Sequence, residues 1–476
     1  MDSSPILIRT KQDVFDLINS GRVLSRHGWM IVLIALGGTF IDAYDFTSLG
    51  IGAVQLKTQF NLTAFQLGSV TASMAFGALL GAFFGGYFVD KIGRLKTFLL
   101  DLFFFIVAAV FAALSPNLLW LLAFRFLMGI GVGLDFPVAL SFIAEYTATQ
   151  RKGRSVNLWQ MTWYIAATLG FLIIIPAYLL GAGPDLWRYA VGFGAVPATI
   201  VLVLRYMYMD ESPMWAASRG DIEGAVKILR KTYGVNAVAA ADATKPLLAD
   251  ASAISLKDYK HIFTGRYRPR TILAGAIGMT QSMEYFALGF YLPTITLLIF
   301  GNNFTTALIG SAIFNAFGIL GGGLNVLLTQ RLGLRRLAMT GYTGVITALL
   351  VIGVFGGLLP PLGAAVFVAL FIVAHSFGQG AVGMTMGAMS FPTAIRGIGS
   401  GFTQSVIRVG SILGFYFFPL VLATAGLDRT LLILAIVPIT GLLFTTFIKW
   451  DPTRHDVDSE EVALAQETAT RPAAAM

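Results

Sequence analysis

The chain has 476 residues, 56% hydrophobic and 12% charged, with a mean hydropathy of +0.75. Soluble globular proteins are about one quarter charged, so these proportions exclude an ordinary soluble enzyme. The formal charge is +8 and there is no cysteine, which removes disulfides and thiolate metal sites. The apolar stretches are long and unbroken, which excludes a transmembrane barrel of short alternating strands.

A bilayer span needs about 20 mostly apolar residues. Runs of that length predict helices near 28–50, 65–89, 97–115, 118–142, 156–180 and 187–208. They resume near 270–298, 305–328, 337–359, 362–388, 398–424 and 428–448. Residues 1–27 read as an N-terminal segment without a signal-peptide cleavage site, so the first span itself directs insertion. Between the halves, 209–269 is the one sizeable polar piece. There Asp221 caps a short amphipathic helix ended by Gly234, and a flexible Ala-rich linker follows. The end of the chain, 451–476, reads as an acidic and then Ala-rich tail, disordered from about 455.

Positive charge orients the spans. Of the 33 Lys and Arg, only Lys57, Arg188 and Arg429 fall in the loops opposite the N-terminus, and Arg125, Arg205 and Arg408 fall inside spans. The rest share one side with both termini, which is therefore expected to be cytoplasmic. Compact loops suit the plasma membrane of a bacterium, its inner membrane. The expected partners are lipid, a small substrate and a proton, with no nucleic acid and no cofactor, and the chain is expected to act as a monomer.

The sequence also repeats itself. Asp90-Lys91-Ile92-Gly93 recurs 240 positions later as Gln330-Arg331-Leu332-Gly333. Asp42 and Asp45 correspond to Gln281 and Glu284, at offset 239. Glu145 and Gly153 correspond to Met389 and Gly397, and Gln160, Tyr164 and Gly170 to Gln404, Arg408 and Gly414, all at offset 244. Glu211-Ser212-Pro213 and Asp451-Pro452-Thr453 end the two halves. Duplicated halves place a substrate between them near the bilayer midplane.

These residues resemble the major facilitator superfamily, over about residues 28–454. Gly86 to Lys96 is similar to its G-x-x-x-D-[RK]-x-G-R-x-[RK] loop, and Arg125…Gly129-Ile130-Gly131-Val132-Gly133 to the motif of proton-coupled members. Leu134 to Ser141 resembles a phosphate-symporter segment. Glu211-Ser212-Pro213 and Phe391-Pro392-Thr393…Arg396-Gly397 resemble sugar-porter motifs. The resemblance implies an all-α integral membrane protein, with twelve transmembrane helices in two pseudo-symmetric six-helix halves, working by alternating access. Sugar porters differ in carrying a tryptophan in span 10 and a Q-Q-x-x-G-x-N pattern in span 7, where this chain has Gln281, Ser282 and Glu284.

A charge inside the bilayer is costly and faces a cavity, a partner or a proton. Asp42 and Asp45 share a face of span 1, and the resemblance implies that Asp45 pairs with Arg125 as the coupling element. Glu284 and Asp135 are further proton-coupling candidates. Arg408 offers a planar fork of donors to a carboxylate, as the resemblance to organic-anion symporters also implies. Gln404, Gln160, Tyr164, Gln281, Tyr44 and Gln379 are the other expected substrate contacts. Trp159 and Trp163 read as packing residues; His375 and Gln379, at i, i+4 in span 10, offer a proton relay, with a hydrogen-bonded packing histidine as the commoner reading. By resemblance, Asp90, Gly93, Arg94, Glu145, Arg151, Arg154, Glu211 and Arg396 are expected to form the cytoplasmic gate.

The expected function is proton-coupled symport of a small organic anion. A sugar or polyol symporter, a phosphate symporter and a transporter-like sensor are the alternatives. The chain carries no nucleotide phosphate loop and no H-E-x-x-H or G-x-S-x-G motif, so an enzyme is not expected.

Overall fold

The computed structural model describes residues 5–21, 28–240, 256–289, 291–301 and 304–460. A strand β1 (Ile6–Ile8) and a helix α1 (Lys11–Asn19) precede the first half. That half comprises α2 (Gly28–Gln59), α3 (Ala64–Ile92), α4 (Arg94–Ala113), α5 (Leu118–Tyr146), α6 (Thr149–Leu179), and the pair α7 (Leu186–Phe193) and α8 (Ala195–Tyr208). Helices α9 (Pro213–Ser218) and α10 (Ile222–Ile228) and a strand β2 (Ala237–Ala239) follow. The second half comprises α11 (Tyr267–Leu288), α12 (Leu292–Phe300), α13 (Phe304–Leu332), α14 (Leu334–Phe355), α15 (Pro361–Phe377), α16 (Gln379–Met389), α17 (Arg396–Leu434) and α18 (Ile436–Phe447).

Ten segments among the described residues are long and apolar enough to cross a bilayer, and α11 with α12, bent by 44°, makes an eleventh. The twelfth is α17 up to a sharp break at Gly426 (φ 76°), a stretch whose polar residues lower its hydropathy. Several helices overrun the predicted spans; α2 continues to Gln59 because its last turns keep packing on α7, where Trp187 Nε1 donates to Gln59 Oε1 (2.5 Å). The halves meet mainly where α6 lies against α13 and α3 against α17.

Within the first half, α3 and α5 interlock backbone to backbone. A Cβ on Gly129 would lie 2.1 Å from the Met74 carbonyl oxygen, and one on Gly133 2.2 Å from that of Ala78. The glycine-rich motif of span 4 therefore serves close helix packing.

The repeat has a structural reason. Gly93 (φ +106°) and Gly333 (φ +81°) turn the chain between α3 and α4 and between α13 and α14. Over each turn sits the acid that ends the same half. Glu211 accepts the N–H of Arg94 (2.9 Å) and Leu95 (3.2 Å), and Asp451 accepts that of Arg335 (3.0 Å). An anion there satisfies orphan donors at the positive end of the helix. Burial raises the Glu211 carboxyl above its ordinary range, against the pull of those N–H groups and of Arg94.

Two polar segments are more ordered than expected. Ala237–Ala239, expected in a flexible linker, pairs in parallel with Ile6–Ile8. The start of the tail also folds back, with Asp456 accepting from Asn19 (3.2 Å) and Asp458 fully buried. Hydrogen bonds and burial, invisible in composition, hold both. Helix α10 begins at Asp221, which accepts from Gly224 N (2.8 Å), and its extension ends at Gly234 (φ +64°). The rest of the expected linker, 241–255, and of the tail, 461–476, lies outside the described residues.

Candidate functional site

Helices α2 and α5 bring Asp45 and Arg125 together. Arg125 Nη1 donates to Asp45 Oδ2 at 2.7 Å, and both side chains are fully buried. Asp45 Oδ1 and Arg125 Nε and Nη2 have no hydrogen-bond partner. The pair is a single contact able to rearrange, not a saturated bidentate lock.

Asp135 stands apart from that pair. It receives Arg205 Nη2 at 2.6 Å, and Arg205 Nη1 reaches Asp101 at 3.1 Å. Gly38 makes room for it, since a Cβ there would lie 2.0 Å from Asp135 Oδ2. This triad of α4, α5 and α8 includes Asp101, an acid set in an otherwise hydrophobic run and absent from the candidates drawn from the sequence. Four buried acids (Asp42, Asp45, Asp101, Asp135) thus share one region with three buried arginines (Arg125, Arg205, Arg408). An uncompensated buried charge is strongly unfavourable, so this arrangement suits at least one neutral carboxyl.

Arg408 comes from α17 of the other half. Its guanidinium sits 5.3 Å from the Phe46 ring and 5.5 Å from the Phe136 ring, and its opposite charge is Asp42 of α2. It is 1% exposed, yet Nε, Nη1 and Nη2 all lack hydrogen-bond partners. Gln404, one turn earlier, has neither side-chain atom satisfied. Gln160 Oε1 and the Tyr164 hydroxyl are also buried without partners. Native interiors rarely leave such groups unpaired, so these residues present recognition capacity the fold itself does not consume.

Between the halves lies a small cavity lined by Gln160, Trp163, Gln281, Tyr285, His375 and Met384, among others. The tryptophans do more than pack. Trp159 Nε1 donates to the Ala381 carbonyl (3.1 Å) and Trp163 Nε1 to the Tyr285 hydroxyl (2.9 Å), both across the halves. Phe46, Phe286, Phe415 and Trp163 form an aromatic cluster around Phe46, with centroid distances of 5.3–6.4 Å. Two expected substrate contacts are turned elsewhere. Tyr44 donates to the Ala190 carbonyl (2.8 Å) on the α7 side, because its position on α2 points away from the second half. Gln379 donates to Glu284 (2.5 Å), which also lies 3.0 Å from His375 Nδ1.

At the end carrying the basic loops, charges join the halves. Asp90, closing α3, accepts the N–H of Gly397 (3.1 Å) and Ile398 (2.8 Å) at the start of α17. Arg94 binds Glu145 (2.6 Å) and the Thr393 carbonyl (3.2 Å). Glu145 also meets Arg396 (3.3 Å), which continues to Asp458 (2.8 Å), and Lys152 lies 3.8 Å from Asp458. Burial alone would raise the Asp458 carboxyl, but Arg396, Lys152 and the Thr393 N–H hold it down at about 2. Asn157 adds a neutral link, donating to Asn325 (2.5 Å) and Thr329 (2.9 Å) on α13.

Not all expected gate residues are there. Arg151 and Arg154 are exposed and make no ion pair among the described residues; the helix turns Lys152 inward instead. Glu211 and Gly93 serve the first half's own helix cap. Asp458 and Lys152 join this contact although in the sequence one lies in a tail-like segment and the other among basic loop residues.

The chain resembles several characterised and catalogued proteins over most of its length. It is 29% identical over 437 residues to the inner membrane metabolite transport protein YgcS of Escherichia coli, covering 90% of this chain and 92% of that protein. To the major myo-inositol transporter IolT of Bacillus subtilis it is 29% identical over 424 residues, covering 87% and 89%. Its fold matches the proton:xylose symporter XylE bound to 6-bromo-6-deoxy-D-glucose, with TM-score 0.78 at 21% identity over 93% of this chain and 99% of that one. For the inward open conformation of XylE from E. coli the TM-score is 0.66. The family model described as "Sugar (and other) transporter" matches residues 28–450, and the chain belongs to that family.

Proposed function

We propose that this multi-pass membrane transporter carries a small sugar or polyol together with a proton by alternating access. The observation that carries the reading is the fully buried Asp45–Arg125 pair, held by one hydrogen bond in a region with more acids than arginines. A proton on Asp45 weakens its hold on Arg125, and its loss restores the pair, so proton occupancy biases which arrangement of the helices is stable. Gln160, Gln281, Gln404 and Tyr164 supply hydrogen bonds to hydroxyl groups, while the aromatic rings pack on the C–H face of a ring-shaped substrate. Family membership supports transport. The named cargoes of IolT and XylE favour a sugar or polyol over the organic anion expected from Arg408.

The positive-inside bias supports a cytoplasmic location for both termini, in a bacterial inner membrane as the name of YgcS also suggests. The basic end is then the cytoplasmic gate, with Asp90, Arg94, Glu145 and Arg396 closing it in this conformation. A second reading, an acidic sugar derivative, is favoured by Arg408, whose donors have no partner in the fold. Uptake of myo-inositol, xylose and glucuronate into proteoliposomes tests both readings. Lumenal acidification with myo-inositol or xylose uptake supports proton symport of a neutral substrate; acidification with glucuronate alone favours the second reading. Substrate accumulation without any pH change overturns proton coupling.

A further inference from the structure

The second half carries an acid–base pair of its own, on the helices equivalent to those of Asp45 and Arg125. Glu284 occupies the position 239 residues after Asp45, in the seventh span, and His375 lies in the tenth as Arg125 lies in the fourth. Glu284 Oε1 is 3.0 Å from His375 Nδ1 and accepts from Gln379 Nε2 at 2.5 Å. His375 belongs to α15 and Gln379 to α16, and the tenth span breaks between them at Gly378 (φ −108°, ψ −114°). Gly378 abuts Gly341 of α14, where a Cβ would meet Gly341 Cα at 2.3 Å. A single carboxylate oxygen therefore ties together the two sides of a helix break whose pivot is pinned by α14.

The cluster is insulated. Its three side chains are at most 2% exposed, and Glu284 Oε2 is buried without a partner. The other titratable groups facing it are phenols: Tyr285, stacked on His375 at 5.1 Å, Tyr164 of α6 and Tyr342 of α14. Helices α12 and α16 carry no charged residue, and α13 carries only Arg331 at its basic end. Of the charged residues of α17, Arg396 opens the helix at the basic end, Asp428 and Arg429 lie beyond Gly426, and Arg408 has Asp42 as its opposite charge. With neutral histidine and ionised glutamate the cluster has one uncompensated negative charge in apolar surroundings. One added proton makes it neutral.

We propose that Glu284 and His375 form a second proton site, whose occupancy latches α15 to α16 across Gly378 in the conformation described. The proposal rests on the transport reading only in taking this break to move during the cycle. Proton loss at higher pH leaves a buried charge that is relieved by opening the latch toward water, so acid favours the latched form.

The absence of cysteine makes the test direct. Spin labels at Leu362→Cys, at the start of α15, and Leu180→Cys, after α6, sit at positions 73% and 88% exposed. Their distance is measured in nanodiscs in acid and in alkaline buffer, at about pH 5.5 and about pH 8.5. The expected result is a pH-dependent shift in the distance distribution that Glu284→Gln and His375→Gln each reduce by half or more. No shift in the parent, or a shift that both variants retain, overturns the latch. A shift removed by Asp45→Asn alone also overturns it, while leaving the Asp45–Arg125 reading standing.

Discussion

Asp458 Oδ2 lies 2.8 Å from Arg396 Nη2, so a residue beyond the last transmembrane helix is the counter-ion of an arginine that opens the eleventh span. Arg396 in turn touches Glu145 of the first half. The C-terminal segment is thereby part of the contact between halves and not an appendage to it.

A pH dependence follows. The Asp458 carboxyl is held at about 2, below its ordinary range, because Arg396, Lys152 and the Thr393 N–H outweigh its burial. A depressed folded value contributes stability above the unfolded value and loses it as pH falls toward the folded one. The contribution is on the order of 2 kcal/mol near neutrality. Asp458→Asn is expected to lower the melting temperature at pH 7, with the difference from wild type shrinking as pH falls from about 4 to about 2. Thermal unfolding in detergent across that range checks it.

Asp45→Asn is expected to abolish concentrative uptake driven by a pH gradient, with a loss of about tenfold or more, while substrate counterflow persists. The variant also leaves Arg125 without its carboxylate, a loss of about 3–5 kcal/mol for a buried pair. Counterflow, which needs no net proton movement, separates lost coupling from lost folding.

Arg408→Gln removes three unsatisfied buried donors. Binding of myo-inositol should persist. If glucuronate binds the wild type, its affinity should fall by about 10–100-fold, the range for a charge-assisted hydrogen bond. Calorimetric titration of both compounds distinguishes the two effects.

Gly86→Val is expected to prevent closure of the basic end. A Cβ at Gly86 would lie 2.5 Å from the Gly397 carbonyl oxygen and 3.0 Å from Gly401 Cα, contacts of backbone that cannot yield. A cysteine placed at Ile398, fully buried here, should react with maleimide in the Gly86→Val background and be protected in the parent.

Much of the molecule was legible from residue types alone. Hydropathy marked the spans, and the repeat of Gly93 and Gly333, each followed by a distant acid, marked the two halves. Asp45, Arg125 and Arg408 stood out because charge is rare where they lie. Direction around a helix was harder. Tyr44 and Arg151 occupy positions on functional helices whose faces turn away from the interface, and nothing in the spacing tells which half a given face will meet. Trp159 and Trp163 looked like packing because their indole donors reach partners more than 100 residues distant.

By itself the sequence determined the solvent, the number of crossings and the duplicated plan, because apolar length and charge scarcity are properties of each segment separately. The tertiary structure decided partnership. Only packing could place Asp101 and Asp135 around one arginine, turn Lys152 and Asp458 into a buried contact, and leave the Arg408 guanidinium without a hydrogen-bond partner. The physical reason is that the energy of a buried charge depends on the atoms within a few ångströms, and those come from helices far apart in the chain.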